Sequence, residues 1–275
     1  MSTPALPMPV GAAPLGWAIG CSRTGAAHQR QGRPCQDAYA LWSGAVAGQT
    51  CLIAAVADGH GDARHDRSQC GAALAVQAAM DLVRAFALAH DQAPALPALT
   101  HDFKTHFPRR LGQRWRAAVC DVAQTEDPAI YTRYGTTLLV ALAVADTLLV
   151  GQIGDGALLW STETTCDVLL RPVPTLMGTE THSLCSNDAT QLWQTAVWTR
   201  TSAGLVVLTT DGLTDALGED VAALAPFARS LSQRLSEFGP MPVAAALPDW
   251  LDHYSAQGSG DDITLALLCL ATPQG

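Results

Sequence analysis

Compact apolar runs and longer helical periodicities alternate along the chain in two batches. Trp17–Ser22, Ala38–Trp42 and Leu52–Ala57 read as strands, the last of them apolar throughout and therefore buried. Residues Ser68–His90 then carry Ala, Leu, Val and Met at mixed three- and four-residue spacings, with no Pro and no Gly after Gly71, which predicts one long helix. The Pro-containing stretch Asp91–Pro97 reads as a link. A second helix is predicted over Phe107–Gln124, with Leu111, Trp115, Val119 and Val122 on one face and Arg109, Arg110, Arg114 and Arg116 on the solvated one.

Strand patterns return at Thr136–Ala145, Leu148–Ile153, Ala157–Trp160 and Val168–Leu170, the first two joined by the turn-like Ala145-Asp146-Thr147. This spacing is that of a meander. Residues 171–200 are rich in Thr, Ser and Pro with no dominant period, and are read as a candidate flap. Gly204–Thr210 is a further strand, Val221–Phe238 and Met241–Tyr254 are helical with breaks at Pro226 and Pro248, and Ile263–Leu270 closes the chain as a strand. Meander stretches pair antiparallel, so the pattern predicts an antiparallel sandwich covered by helices and not a doubly wound parallel sheet.

Composition narrows the function classes. A chain of 275 residues with 48% hydrophobic and 15% charged residues is globular, and its length allows one or two domains. Lys+Arg 16 against Asp+Glu 25 gives a formal charge of −9, which argues against a general nucleic-acid binder and leaves room only for a local basic groove. Residues 1–15 are small, apolar and Pro-rich without a Lys or Arg; they are read as a flexible segment lacking the charged start of a signal peptide. No apolar run approaches the eighteen residues of a membrane span. The eight cysteines contain no CxxC pair, and Cys51, Cys120 and Cys269 sit inside apolar runs; they are read as reduced thiols of a cytoplasmic protein without a zinc site.

The informative feature is the position of the aspartates. Asp58, Asp155 and Asp211 follow apolar strands, while Asp37 and the pair Asp261-Asp262 precede them. Taken singly, Asp58-Gly59, Asp155-Gly156 and Asp211-Gly212 read as hairpin turns. That reading weakens at Asp58 and Asp211, because no answering strand follows either. If the sheet ends bring these carboxylates together, the like charges need cations or protons to coexist, and hard oxygen donors select Mg²⁺ or Mn²⁺.

The elements Asp58-Gly59-His60-Gly61, Gly135-Thr136-Thr137, Gly154-Asp155-Gly156, Thr210-Asp211-Gly212 and Asp261-Asp262-Ile263-Thr264 resemble, in order and spacing, the metal-dependent type 2C (PPM) serine/threonine protein phosphatases. Pro34-Cys35-Gln36-Asp37 resembles the bacterial branch of that family. The resemblance implies one catalytic domain over residues 16–272 with a PP2C-like α+β fold, a four-layer α-β-β-α sandwich of two antiparallel sheets flanked by helices. It implies two Mn²⁺ or Mg²⁺ ions with a water between them as the nucleophile. In that scheme Asp58 bridges both ions, Asp211 and Asp261 complete one, and the Gly59 carbonyl joins the other. Asp37 holds metal-bound waters, and Asp155 with Asp211 holds a weaker third ion.

The same resemblance makes His60 the proton donor to the leaving oxygen, a role suited by a pKa near neutrality; an ordinary turn histidine is the alternative. Arg33 is the candidate phosphate-binding arginine, with Arg23 and His28 as rivals. Gln36 stands where relatives have Glu, Gly156 replaces a Ser, and Asp262 replaces an Asn, so either Asp261 or Asp262 could be the ligand, with Asp261 favoured by the motif register. His182 and Asp188 receive no role. The implied activity is hydrolysis of phosphoserine and phosphothreonine in phosphoproteins of a cognate kinase, by a monomer with no nucleic-acid or membrane partner. Two alternatives remain: a phosphatase of small phosphate esters or nucleotides, and a catalytically silent scaffold that binds a kinase or phosphoprotein.

Overall fold

The computed structural model describes residues 10–12, 15–46, 49–89, 95–171, 181–218 and 221–273. The first half forms β1 (Val10–Ala12), β2 (Gly16–Arg23), α1 (Ala26–Gln31), β3 (Ala38–Val46), β4 (Gln49–Ala57), α2 (Ser68–Ala89), α3 (Ala95–Thr105) and α4 (Phe107–Ala123). The second half forms β5 (Leu138–Val144), β6 (Thr147–Ile153), β7 (Ala157–Ser161), β8 (Cys166–Leu170), α5 (Ala189–Leu192), β9 (Gln194–Thr199), β10 (Gly204–Thr209), α6 (Asp211–Leu217), α7 (Leu224–Phe238), α8 (Pro240–Gln257) and β11 (Ile263–Leu270).

Two antiparallel sheets face each other, one ordered β1-β2-β11-β10-β7-β8 and the other β3-β4-β5-β6-β9. Alternation along the strands sorts the apolar side chains into three cores. Leu52, Ala54 and Val56 of β4 meet Val206 and Leu208 of β10 between the sheets. Ile53 and Ala55 turn outward to α2, α3 and α4, where Phe103, Phe107 and Trp115 are fully buried. Leu205 and Val207 turn outward to α6, α7 and α8. The four layers α-β-β-α follow from this sorting. β5 and β6 are buried on both faces, which is why they read as unbroken apolar runs. No helix among the described residues is long and apolar enough to cross a membrane.

Several local expectations need correction. α7 and α8 run through Pro226 and Pro248 without ending. Residues 95–97, expected to belong to a link, open α3; Pro97 is the third residue of that helix. Val122, expected on the buried face of α4, is 53% exposed. The region 171–200 contains α5 and the edge strand β9, which pairs with β6; its residues 172–180 lie outside the described ones. In the segment expected to be flexible, Val10–Ala12 pair with β2, while residues 1–9, 13 and 14 lie outside the described ones. The meander breaks at Asp155: β6 belongs to one sheet and β7 to the other, so Asp155-Gly156 is a crossing between sheets and not a hairpin.

Candidate functional site

Strand register brings the aspartates to one pole of the sandwich. Ala38 at the start of β3 opposes Ala57 at the end of β4, so Asp37 and Asp58 emerge side by side. Thr209 at the end of β10 opposes both Ala157, which opens β7, and Leu265 of β11, so Asp155, Asp211 and Asp261 flank neighbouring strand ends. One carboxylate oxygen each from Asp58, Asp155 and Asp211 lies within 4.8 Å of the other two.

The backbone around each group is held in place. Asp58 N–H donates to Thr137 Oγ1 at 3.0 Å, and its carbonyl accepts from Thr137 N–H at 2.8 Å and Thr136 Oγ1 at 2.7 Å. Thr136 N–H in turn donates to Ser183 Oγ at 3.0 Å. Asp155 accepts a hydrogen bond from the Thr181 hydroxyl. Asp211 opens α6 directly after Thr210. Asp37 is buried; its Oδ2 accepts from Thr210 Oγ1 at 2.9 Å, and its Oδ1 has no partner among the described residues.

Gly59 lies against the backbone of two other segments. A Cβ there would meet the Gln36 carbonyl oxygen at 2.7 Å and the Ser68 carbonyl at 2.8 Å, so only glycine fits. Gln36 closes the same knot, its Nε2 donating to Ser68 Oγ at 2.6 Å.

Burial first, and the neighbouring carboxylates second, push three of these groups upward. Asp58 is raised well above the usual carboxylate range by burial and then by Asp37. Asp211 is raised by burial and then by Asp58 and Asp155. Asp37 is raised by burial and then by Asp262. Like charges brought this close need protons or cations to coexist, and carboxylate oxygens are donors of the kind that hard divalent cations take.

The structure separates Asp261 from Asp262. Asp262 is buried, and both its oxygens are occupied by Gly25 N–H, His28 and Gln36 N–H. Asp261 has a half-exposed side chain and acts electrostatically on both Asp58 and Asp211. Asp261 is left open to solvent, whereas Asp262 ties β11 to α1 and to the Gln36 loop.

The family model "Protein phosphatase 2C" matches residues 24–252. The chain belongs to the protein phosphatase 2C family. As a member it is a protein serine/threonine phosphatase. No curated protein sequence matches it. Among solved structures, it is similar to the catalytic domain of the serine/threonine protein phosphatase PstP in complex with two manganese ions, at 15% identity over 94% of this chain and 99% of that one, with a TM-score of 0.61. It is also similar to PppA, a regulatory component of the type VI secretion system in Pseudomonas aeruginosa, at 17% identity over 92% and 96% of the two chains, with a TM-score of 0.58. The third is the serine/threonine phosphatase Stp1 from Staphylococcus aureus, at 15% identity over 98% of each chain, with a TM-score of 0.57. At these identities the likeness is one of fold.

Beside its carboxylates the phosphatase has a cavity of about 600 Å³, lined by His60, Arg64, His65, Thr132, Thr181 and Ser183 among others. The His60 and His65 rings lie 4.9 Å apart, and His65 Nδ1 bonds the Thr132 carbonyl. A Cβ on Gly135 would meet both rings, so this glycine makes room for the pair. The expectation of a near-neutral His60 is not met. Burial first, then His65 and Arg64, lower its pKa to about 4, which leaves the imidazole neutral at pH 7 in the metal-free protein.

The three candidates for the phosphate-binding residue part company. Arg23 grips Asp252 of α8 through Nε at 2.7 Å and Nη2 at 2.6 Å, a tie between layers. His28 is buried on Asp262. Arg33 reaches the site's edge, donating from Nη2 to Gln36 Oε1 at 2.9 Å and to the Gly61 carbonyl at 3.3 Å. Residue patterning gave no role to Thr210, Thr181, Ser68 or His65; of these only Thr210 lies within a recognised motif.

Proposed function

We propose that this phosphatase hydrolyses phosphoserine and phosphothreonine in proteins phosphorylated by serine/threonine kinases, with Mn²⁺ or Mg²⁺ held by Asp37, Asp58, the Gly59 carbonyl, Asp155, Asp211 and Asp261. The observation that carries it is the mutual approach of Asp58, Asp155 and Asp211 together with the partnerless buried Oδ1 of Asp37. A buried oxygen with no donor to satisfy it, close to converging carboxylates, fits a hard cation better than it fits an empty fold. When bound, a divalent ion supplies positive charge against the phosphoryl oxygens and lowers the pKa of water, so that attack at phosphorus needs no phosphoenzyme.

The chain's own residues orient the ester. Arg33 can release Gln36 and the Gly61 carbonyl to place a planar guanidinium on two phosphate oxygens. The phosphate dianion of the substrate raises the basicity of His60, so that the imidazole takes up a proton as the ester binds and delivers it from a ring N–H to the leaving serine or threonine oxygen, returning to the neutral form. Gly59 presents its carbonyl because nothing beyond Cα can occupy that position. The retained set of aspartates favours an active enzyme over a silent scaffold.

The test is hydrolysis of p-nitrophenyl phosphate and of a phosphothreonine peptide with Mn²⁺, stopped by a chelator. Absence of turnover across metals and pH overturns the reading. Faster turnover of nucleotides than of the peptide moves it to small phosphate esters.

A further inference from the structure

The carboxylates of Asp58, Asp155 and Asp211 are not the only group at this pole able to hold a cation. His28, Asp261 and Asp262 also present ligand atoms within 4.8 Å of one another. The three side chains differ in what remains free. Asp262 Oδ1 accepts from Gly25 N–H at 2.6 Å and faces His28 Nδ1 at 2.9 Å, while Oδ2 accepts from Gln36 N–H at 2.6 Å. An ionised carboxylate can only accept, so His28 Nδ1 carries the proton. The lone pair of a neutral His28 ring is then on Nε2.

That nitrogen makes no hydrogen bond among the described residues. It lies 3.9 Å from Asp261 Oδ1. If His28 were a cation shared by both aspartates, its second N–H would belong within about 3.2 Å of an acceptor. Two donor atoms bound to one ion at roughly 2.1 Å each can stand up to about 4.2 Å apart, and the observed gap falls within that span. A metal-binding imidazole characteristically donates its other N–H to a carboxylate, which fixes tautomer and ring plane. His28 on Asp262 already has that support, and its side chain is 11% exposed.

We infer that His28 Nε2 is a nitrogen ligand to the divalent ion held by Asp261, with Asp262 as the residue that positions it. The inference rests on the metal centre proposed above and makes that centre a mixed nitrogen and oxygen site at its Asp261 edge. Imidazole favours Mn²⁺, Fe²⁺ or Co²⁺ over Mg²⁺, so His28 biases the phosphatase towards the transition metals. Arg23 cannot play this part, because it is spent on Asp252 and a guanidinium has no lone pair to give.

The experiment is electron spin-echo envelope modulation on the full chain loaded with Mn²⁺, with affinity from the same titration. A ¹⁴N coupling of directly bound imidazole is expected in the wild type and in His60→Gln, and its loss in His28→Gln. His28→Gln should also weaken Mn²⁺ binding about tenfold while leaving Mg²⁺ binding nearly unchanged. Should His28→Gln fail to fold, ¹⁵N-histidine labelling of His60→Gln replaces the ¹⁴N pattern with that of ¹⁵N if the ligand is a histidine other than His60. Bound Mn²⁺ without nitrogen coupling, or coupling that survives in folded His28→Gln, overturns the assignment and leaves the carboxylate centre standing. A wild-type spectrum of free aqua Mn²⁺ overturns the metal centre itself, and this assignment with it.

Discussion

Asp58 and Asp211 sit half-buried beside one another and beside Asp155, and desolvation together with the neighbouring charges raises both, a cost in the metal-free fold that a cation or a proton relieves. Replacing either with Asn keeps the shape and removes a charge. Asp58→Asn and Asp211→Asn are each expected to lower hydrolysis of p-nitrophenyl phosphate by about a hundredfold or more, a loss of about 2.7 kcal/mol in transition-state stabilisation. Their melting temperatures in chelator should equal or exceed that of the wild type, because a half-buried like-charge contact is gone. Activity within a few fold of wild type in either variant refutes the assignment. Gly59→Ala tests the neighbouring backbone: its Cβ would fall 2.7 Å from the Gln36 carbonyl oxygen, and a loss of about 1–3 kcal/mol in urea unfolding is expected. The aspartates were legible from sequence because a charged residue directly beside an apolar strand stands out. The bonds of Thr210 to Asp37 and of Thr181 to Asp155 were not, since a hydroxyl carries no periodic signal that names its distant partner.

Elements explain why local punctuation misled. Pro226 is the third residue of α7 and Pro97 the third of α3, positions whose N–H has no acceptor inside the helix, so neither ring costs a hydrogen bond. Pro248 lies in the middle of α8, where it does cost one; Val243, Ala244, Leu247 and Leu251 are buried against the sheet and hold the helix together across it. Packing overrides the proline there. Elements also divide the arginines. Arg23 binds β2 to α8, so Arg23→Ala is expected to leave KM for p-nitrophenyl phosphate unchanged and to cost no more than about 1 kcal/mol, its partner being over a third exposed. Arg33→Ala, on the loop before β3, should raise KM about tenfold with a smaller change in kcat, as the loss of a charge-assisted phosphate contact requires. Steady-state kinetics on both variants decides between them; a KM effect confined to Arg23 reverses the assignment.

At the scale of the molecule, the polar end carries a pH dependence whose sign is set by the raised carboxylates. Asp37, Asp58 and Asp211 bind protons more tightly folded than unfolded. Their effect on the metal-free protein is therefore smallest below the unfolded value of about 3.9 and grows more destabilising as pH rises towards their elevated folded values. In chelator the melting temperature is expected to be higher at pH 5 than at pH 8. Mn²⁺ should raise it more at pH 8, where no proton competes for the oxygens. Calorimetry at the two pH values, with and without the ion, reads both; a metal-induced shift that shrinks as pH rises counts against carboxylate ligation.

The long helices α2 and α4, most of the strands, the antiparallel class and the candidate aspartates were legible in the sequence alone, because period and residue chemistry are local properties. The sheet change between β6 and β7, the edge strand β9 inside a patternless stretch and the burial of His28 on Asp262 were decided only by tertiary structure. Each depends on which distant strand end lies alongside. Asp261 and Asp262 are adjacent and chemically identical in the chain. Three donors from Gly25, His28 and Gln36 hydrogen-bond the side chain of Asp262, whereas His28 comes no nearer to Asp261 than 3.9 Å, and this distant convergence, invisible to any local pattern, distinguishes the two carboxylates.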